Sequence, residues 1–131
     1  MIVLDTHAWV WWAASPEKLS PAAREAIDSE IARDGLRVSS ISAWEVAMLV
    51  SRGRLVLTMD IAAWIARSEG VPFLRFVPVD NRIALRAVML PEPAPRDPAD
   101  RLIMATASVL GAPLVTADRK LRQAEGLSVI W

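Results

Sequence analysis

Residues 1–14 read MIVLDTHAWVWWAA, a short apolar run from Ile2 to Leu4 that stops at Asp5 and passes directly into a second apolar stretch. A brief run containing β-branched residues and closed by a charge predicts a buried strand, and Thr6 to about Ala14 predicts the helix that follows it. A carboxylate closing a buried apolar strand costs free energy unless it is paired or bound to a metal ion, which singles out Asp5. The same order of strand, acid and helix returns near the other end. Leu114 and Val115 run to Thr116, Asp118 opens a short helix to Glu125, and Leu127 to Ile130 predicts a last strand.

Between these ends, strands and helices alternate. Ser20 and Pro21 start a helix through PAAREAIDSEIARD, which Gly35 stops. Leu36 to Ser39 predicts a second strand, Ser42 to about Ser51 a helix ending near Gly53, and Asp60 to Glu69 an amphipathic helix stopped by Gly70 and Pro72. Phe73 to Val79 predicts a third strand and Asn81 to Leu90 a helix ended by Pro91. PEPAPRDP then holds four of the nine prolines in eight residues and must be a loop. Ala99 to Leu110 predicts a helix closed by Gly111. This alternation predicts an α/β fold with a mostly parallel sheet covered on both faces. There is no repeat or linker, and residues 1–131 are the expected span of one domain.

Composition narrows the class. The hydrophobic share is 53%, yet no run approaches the roughly 18 apolar residues of a membrane span. The N-terminal stretch lacks a basic flank and is interrupted by Asp5 and His7, so it is expected to belong to the mature protein. The absence of cysteine excludes disulfides, thiolate metal sites and a cysteine nucleophile, and fits a cytoplasmic location. Net charge is zero, so bulk charge does not announce a nucleic-acid partner and any such binding must come from local placement. Of the 15 positive residues, 13 are arginine; Arg suits bidentate phosphate contacts, and high-GC coding bias produces the same ratio.

Asp5 and Asp118 fall at the carboxyl ends of predicted parallel strands, the edge where ligands bind in open α/β sheets. Glu45 and Asp100 fall in the first turns of predicted helices, where free N–H groups favour negative charge. Each acid alone reads more simply as a helix cap, and Ser42-Ala43-Trp44-Glu45 fits an S-x-x-E capping box. Together, four carboxylates without sulfur or nitrogen partners suit a hard divalent cation, Mg²⁺ or Mn²⁺. Asp97 is either a further ligand or the cap of the helix beyond Pro98.

LDTHAWVWW, SSISAWEVAMLVSRGRL, RDPADRLIMATA and LVTADRKL, in this order and spacing, resemble the four sequence blocks of PIN-domain ribonucleases, specifically the VapC-type toxins of toxin–antitoxin pairs. The resemblance runs from Met1 to about Trp131. It implies a three-layer α/β/α sandwich with about five strands, Mg²⁺-dependent RNA cleavage, inhibition by a cognate VapB-type antitoxin, and a homodimer. It assigns Asp5, Glu45, Asp100 and Asp118 as catalytic, metal-holding acids that hydrolyse a phosphodiester through one or two ions. Ala99 departs from the aromatic residue expected between Pro98 and Asp100, which bears on packing rather than chemistry.

Other residues carry less. Thr6 and Thr116 stand beside two of the acids and are candidates to orient them. His7, the single histidine, has no Ser or Cys partner for a hydrolase triad and is expected to pack or help cap. Arg96, Arg101, Arg119 and Arg122 flank the acidic blocks and are candidates for phosphate contacts, a solvated face or pairing with those acids. Six Trp residues exceed the needs of a small core; core and interface packing are the expected uses, including an antitoxin groove lined by Trp or Leu from the early helices. Three other readings compete: a Mg²⁺-binding receiver domain, an inactive PIN-like binding module, and a PIN nuclease of RNA maturation without an antitoxin. The receiver fits poorly, because Thr6 follows Asp5 where it needs paired acids.

Overall fold

The short apolar runs form a sheet in which every pairing is parallel. In the computed structural model, which describes residues 1–131, β1 (Ile2–Leu4) lies between β2 (Leu36–Ser39) and β4 (Leu114–Val115). β3 (Leu74–Val77) lies outside β2, and β5 (Val129–Ile130) outside β4. Ile2 stands opposite Leu36, Leu36 opposite Leu74, Leu4 opposite Val115, and Val115 opposite Ile130. The chain moves outward from β1 to β3 and then returns to place β4 on the other side of β1. That reversal opens a crevice beyond the carboxyl ends of β1 and β4, where Asp5 and Thr116 emerge.

Side chains alternate across a strand, so β1 feeds two cores. Ile2 and Leu4, with Leu36 and Val38, face Trp9 of α1 (Thr6–Ala14), Ala23 and Ile27 of α2 (Pro21–Ile31), and Trp64 of α4 (Ile61–Glu69). Val3 and Leu114 face Ile103, Met104 and Ala107 of α6 (Pro98–Leu110) and Leu121 of α7 (Arg119–Arg122). Ile83 and Ala87 of α5 (Asn81–Val88) pack on Ala105 of α6. The expected α/β/α layering is therefore present, and the sheet is wholly parallel.

All seven α-helices begin behind an Asp or Ser whose side chain accepts a first-turn backbone N–H. The caps move several boundaries from their expected positions. α3 (Ser40–Ser51) starts behind Ser39 rather than at Ser42, so Ser42 lies inside the helix and the S-x-x-E capping box does not form. α6 starts at Pro98 behind Asp97, one residue earlier than expected. β3 ends at Val77 because Pro78 has no N–H to continue the ladder. Gly111 closes α6 at φ 62°, a left-handed conformation that glycine adopts without steric cost.

Trp9 is fully buried, stacked obliquely on Trp64 at 4.6 Å and edge-on to Phe76 at 5.3 Å, and its indole N–H donates to Ser68 Oγ at 3.2 Å. Trp9→Ala is expected to cost about 3–5 kcal/mol of folding stability, measured by urea unfolding. A loss below about 1 kcal/mol would show that this layer does not depend on the indole.

Candidate metal centre and active site

Asp5 performs two tasks. As the N-cap of α1, its Oδ1 accepts the Ala8 N–H at 2.8 Å, and its Oδ2 accepts a short hydrogen bond from the Thr116 hydroxyl. The residue is only 7% exposed. Thr116 Oγ1 in turn accepts the Asp118 N–H at 3.0 Å, so one hydroxyl joins the acid after β1 to the segment after β4. Asp118 caps α7 through the Lys120 N–H at 2.9 Å. Asp5 and Asp118 are thus helix caps that also line the cleft, which is why the two readings of these acids compete in the sequence.

Glu45 is set from the opposite wall. Its Oε1 lies 2.6 Å from Thr6 Oγ1, and Thr6 Oγ1 lies 2.9 Å from the fully buried Ser42 hydroxyl. A hydroxyl has one proton; the Thr6 proton directed at the carboxylate leaves Ser42 to donate within the hydroxyl pair. Ser42 therefore supports Glu45 from one turn earlier in α3, by way of Thr6, rather than by capping the helix. Its Ser type was visible in the sequence, but the partner reached across 36 residues was not.

Carboxylate oxygens of Glu45, Asp97 and Asp100 lie within 4.8 Å of one another. Asp97 is the cap of α6, accepting the Asp100 N–H at 3.1 Å, and its carboxylate also stands in this trio. Asp5 and Asp118 stand outside the trio but line the same cleft of about 450 Å³, together with Thr6, His7 and Trp11. All four sequence-predicted acids thus share one cavity, with Asp97 as a fifth. The three-residue spacing of Asp97 and Asp100, one helical turn, was the signal for it.

No Arg or Lys lines the cleft, and the one histidine there, His7, opposes the rise of Asp5 and Glu45 only as a minor cause. The chain's one ion pair joins the Met1 amino group to Glu30 at 2.9 Å, away from these acids. Burial pushes the Asp100 carboxyl up to about 7, and repulsion from Asp97, Glu45, Asp118 and Asp5 adds to it. Burial also raises Asp5, against the hydrogen bonds from Thr116 and Ala8. Glu45 rises for the same first reason, with the Thr6 hydroxyl opposing and the Asp97 charge assisting. An oxygen-only donor set held in this state fits a hard divalent cation, whose charge would offset the repulsion that protonation now relieves.

The flanking cations divide. The Arg101 guanidinium donates to the carbonyls of Ala87 at 2.9 Å, Pro95 at 3.0 Å and Val88 at 3.2 Å. It ties α5 and the proline loop to α6 and forms no ion pair with the acids. Arg96 remains exposed and borders, with Lys120, a second hollow that reaches Asp97 and Asp100. Arg119 and Arg122 are exposed. His7 is exposed at the cleft mouth with its ring 5.7 Å from Trp11, a surface packing role.

Asp100 keeps its proton in the metal-free fold up to about pH 7, whereas the unfolded chain releases it near 3.8. Its contribution is thus fully present below about pH 3.8 and lost as pH rises through about 7. Asn at position 100 has no proton to lose. In EDTA, the Tm of Asp100→Asn relative to wild type should therefore climb between about pH 4 and pH 8, read by differential scanning fluorimetry. Parallel curves would show that this carboxyl titrates normally.

Residues 2–127 match the model of the PIN domain. Over 121 residues, covering 92% of this chain and 89% of the other, the sequence is 41% identical to Ribonuclease VapC22 of Mycobacterium tuberculosis. In fold it is similar to a chain of VapBC2 from Rickettsia felis bound to a promoter DNA fragment, with TM-score 0.72 at 16% identity over 98% of this chain and 97% of that one. It is also similar to a chain of FitAcB from Neisseria gonorrhoeae, with TM-score 0.67 at 23% identity over 98% and 96% of the two chains. The match spans nearly all of the five-stranded layout and every acid of the cleft, and the chain belongs to the PIN-domain family.

Proposed function

We propose that this chain is a Mg²⁺-dependent endoribonuclease, with Mn²⁺ as a substitute ion, and the toxin of a toxin–antitoxin pair. The observation that carries the reading is the convergence of five carboxylates in one cleft with no Arg or Lys among them and no ion pair to any of them. The relative's name, a ribonuclease, supports RNA as the substrate. Asp5, Glu45, Asp100 and Asp118 are the catalytic acids that hold the ion or ions, and Asp97 joins them. The bound cation would supply charge neutralisation at the phosphate and acidify water for hydrolysis of the phosphodiester. The protein's own part is orientation: Thr116 fixes Asp5, and Thr6 with Ser42 fixes Glu45, so the donors need little rearrangement on loading.

Two surfaces support the reading of the partners. A groove of about 650 Å³ between the end of α1, residues 56–59 and α4 is lined by Trp12, Leu57, Met59, Trp64 and Val71. An apolar segment of a VapB-type antitoxin suits it, in keeping with neighbours described as VapBC complexes. Leu85, Val88 and Met89 are exposed at 62%, 76% and 67% around the end of α5, and this edge is the surface we assign to a homodimer. No helix is long and apolar enough to cross a membrane. A PIN nuclease of RNA processing without an antitoxin is the alternative; co-purification of a small partner encoded beside the gene separates the two.

Partner-free wild type should cut a mixed pool of structured and single-stranded RNAs in Mg²⁺ or Mn²⁺ and not in EDTA. Asp5→Asn and Asp100→Asn should each lose more than the roughly 10–100-fold typical of losing a group that merely supports a ligand. Folded wild type that cuts no RNA with either ion would overturn the nuclease reading. Light scattering at tens of micromolar should return a dimer mass, as expected for specific dimers with Kd of about 1 μM or tighter. Leu85→Arg should shift that mass toward monomer; a monomeric wild type would remove the dimer.

A further inference from the structure

Five of the six tryptophans are wholly or partly buried, whereas Trp44 is 56% exposed. It directly precedes Glu45 on α3. Successive helical residues point about 100° apart, so while Glu45 turns into the acidic cleft, Trp44 faces an adjoining groove of about 290 Å³. Glu45 and Asp97 line both cavities, so the groove opens directly beside the acids. From Trp44 the same helix face continues at i+4 and i+8 as Met48 and Arg52, with Arg54 just past the end of the helix, all lining the groove.

Arg52 and Arg54 are exposed and belong to no ion pair. An acidic cleft repels a polyanion, and these two guanidiniums stand on the groove that leads out of it. An indole face offers a nucleobase a sequence-tolerant stacking platform, and unpaired arginines take phosphates; together they are the means by which proteins hold single strands.

We propose that Trp44 stacks an unpaired base of the RNA next to the scissile phosphate, while Arg52 and Arg54 hold the phosphates of that flanking segment. The inference rests on the ribonuclease reading for the identity of the strand. It makes α3 a specificity element as well as a ligand-bearing one. Bases engaged in a duplex cannot present their faces to the indole, so the enzyme prefers nucleotides free of pairing.

The test measures both binding and cleavage. Fluorescein-labelled single-stranded RNA of random sequence is titrated with protein in EDTA, where nothing is cut, and followed by anisotropy. The same strand is cleaved in Mg²⁺ for kcat and KM. Trp44→Ala should raise Kd and KM about tenfold with the change falling on KM rather than kcat, and Trp44→Phe should recover most of it. Arg52→Ala and Arg54→Ala should each lower the salt dependence of log Kd by about one. Wild-type Kd in Trp44→Ala overturns the proposal, as does failure of wild type to bind the strand. A Trp44→Ala protein that sediments as monomer where wild type is a dimer assigns the indole to a subunit contact and overturns it as well. If wild type binds but never cuts, the nuclease reading falls, while the loss of binding in Trp44→Ala still upholds the stacking site.

Discussion

The carboxylate of Asp5 is the point on which the structure turns, because it sits at the end of the innermost strand and is only 7% exposed. A buried carboxylate is tolerated only with compensation. Here the compensation comes from two directions: a backbone N–H of α1, which starts there, and the hydroxyl of Thr116, which ends β4. Pairing β4 beside β1 is what brings Thr116 within reach. The crossover that builds the sheet and the hydrogen bond that tolerates the acid are therefore one arrangement. Two further acids of the cleft are placed from the same neighbourhood, Asp118 through the same Thr116 hydroxyl and Glu45 through the adjacent Thr6.

With 15 acidic and 15 basic side chains, the chain has enough cations to neutralise its cleft, yet none is used there. Arg101, nearest in sequence to Asp100, spends its guanidinium on three carbonyls of the α5 end and the proline loop. An arginine paired to the trio would stabilise the empty protein and compete with any metal. With burial and the neighbouring acids raising Asp100 to about 7, a cation bound among these carboxylates would displace protons from them.

The fold was largely legible because its signals are local. Short apolar runs ended by acids, Pro and Gly punctuation and Ser or Asp caps give element type and order, and alternation gives a parallel sheet. The strand order was not legible, since nothing local in Leu114-Val115 states that it pairs with β1 rather than β3. At the site, Asp5, Glu45, Asp100 and Asp118, singled out by strand-end and helix-start positions and a recognisable order of blocks, line one cleft. The reading of Ser42 as a cap failed because Ser39 supplies an equally good cap three residues earlier, and the hydroxyl left inside the helix found Thr6 instead. The pairing of Arg101 with the acids failed for the opposite reason. Its proximity to Asp100 in sequence suggested pairing or phosphate, but successive helical residues diverge, and its direction leads to α5.

That divergence also explains how one helix serves two purposes. Along α3 the face bearing Ser42 and Val46 is buried, Glu45 points to the cleft, and the row of Trp44, Met48 and Arg52 borders the adjoining groove. Carboxylates that meet a cation must be held with small tolerance, and those of Asp5 and Glu45 are held by hydroxyls that are themselves buried or half-buried. Groups that meet a flexible strand benefit from freedom, and Arg52, Arg54 and Trp44 are left without partners in solvent. Hydroxyl-held acids and unpaired exposed side chains thus lie on adjoining surfaces of α3 and the residues just past its end. The exposed row can therefore vary in sequence without disturbing the buried hydroxyls that hold Asp5 and Glu45.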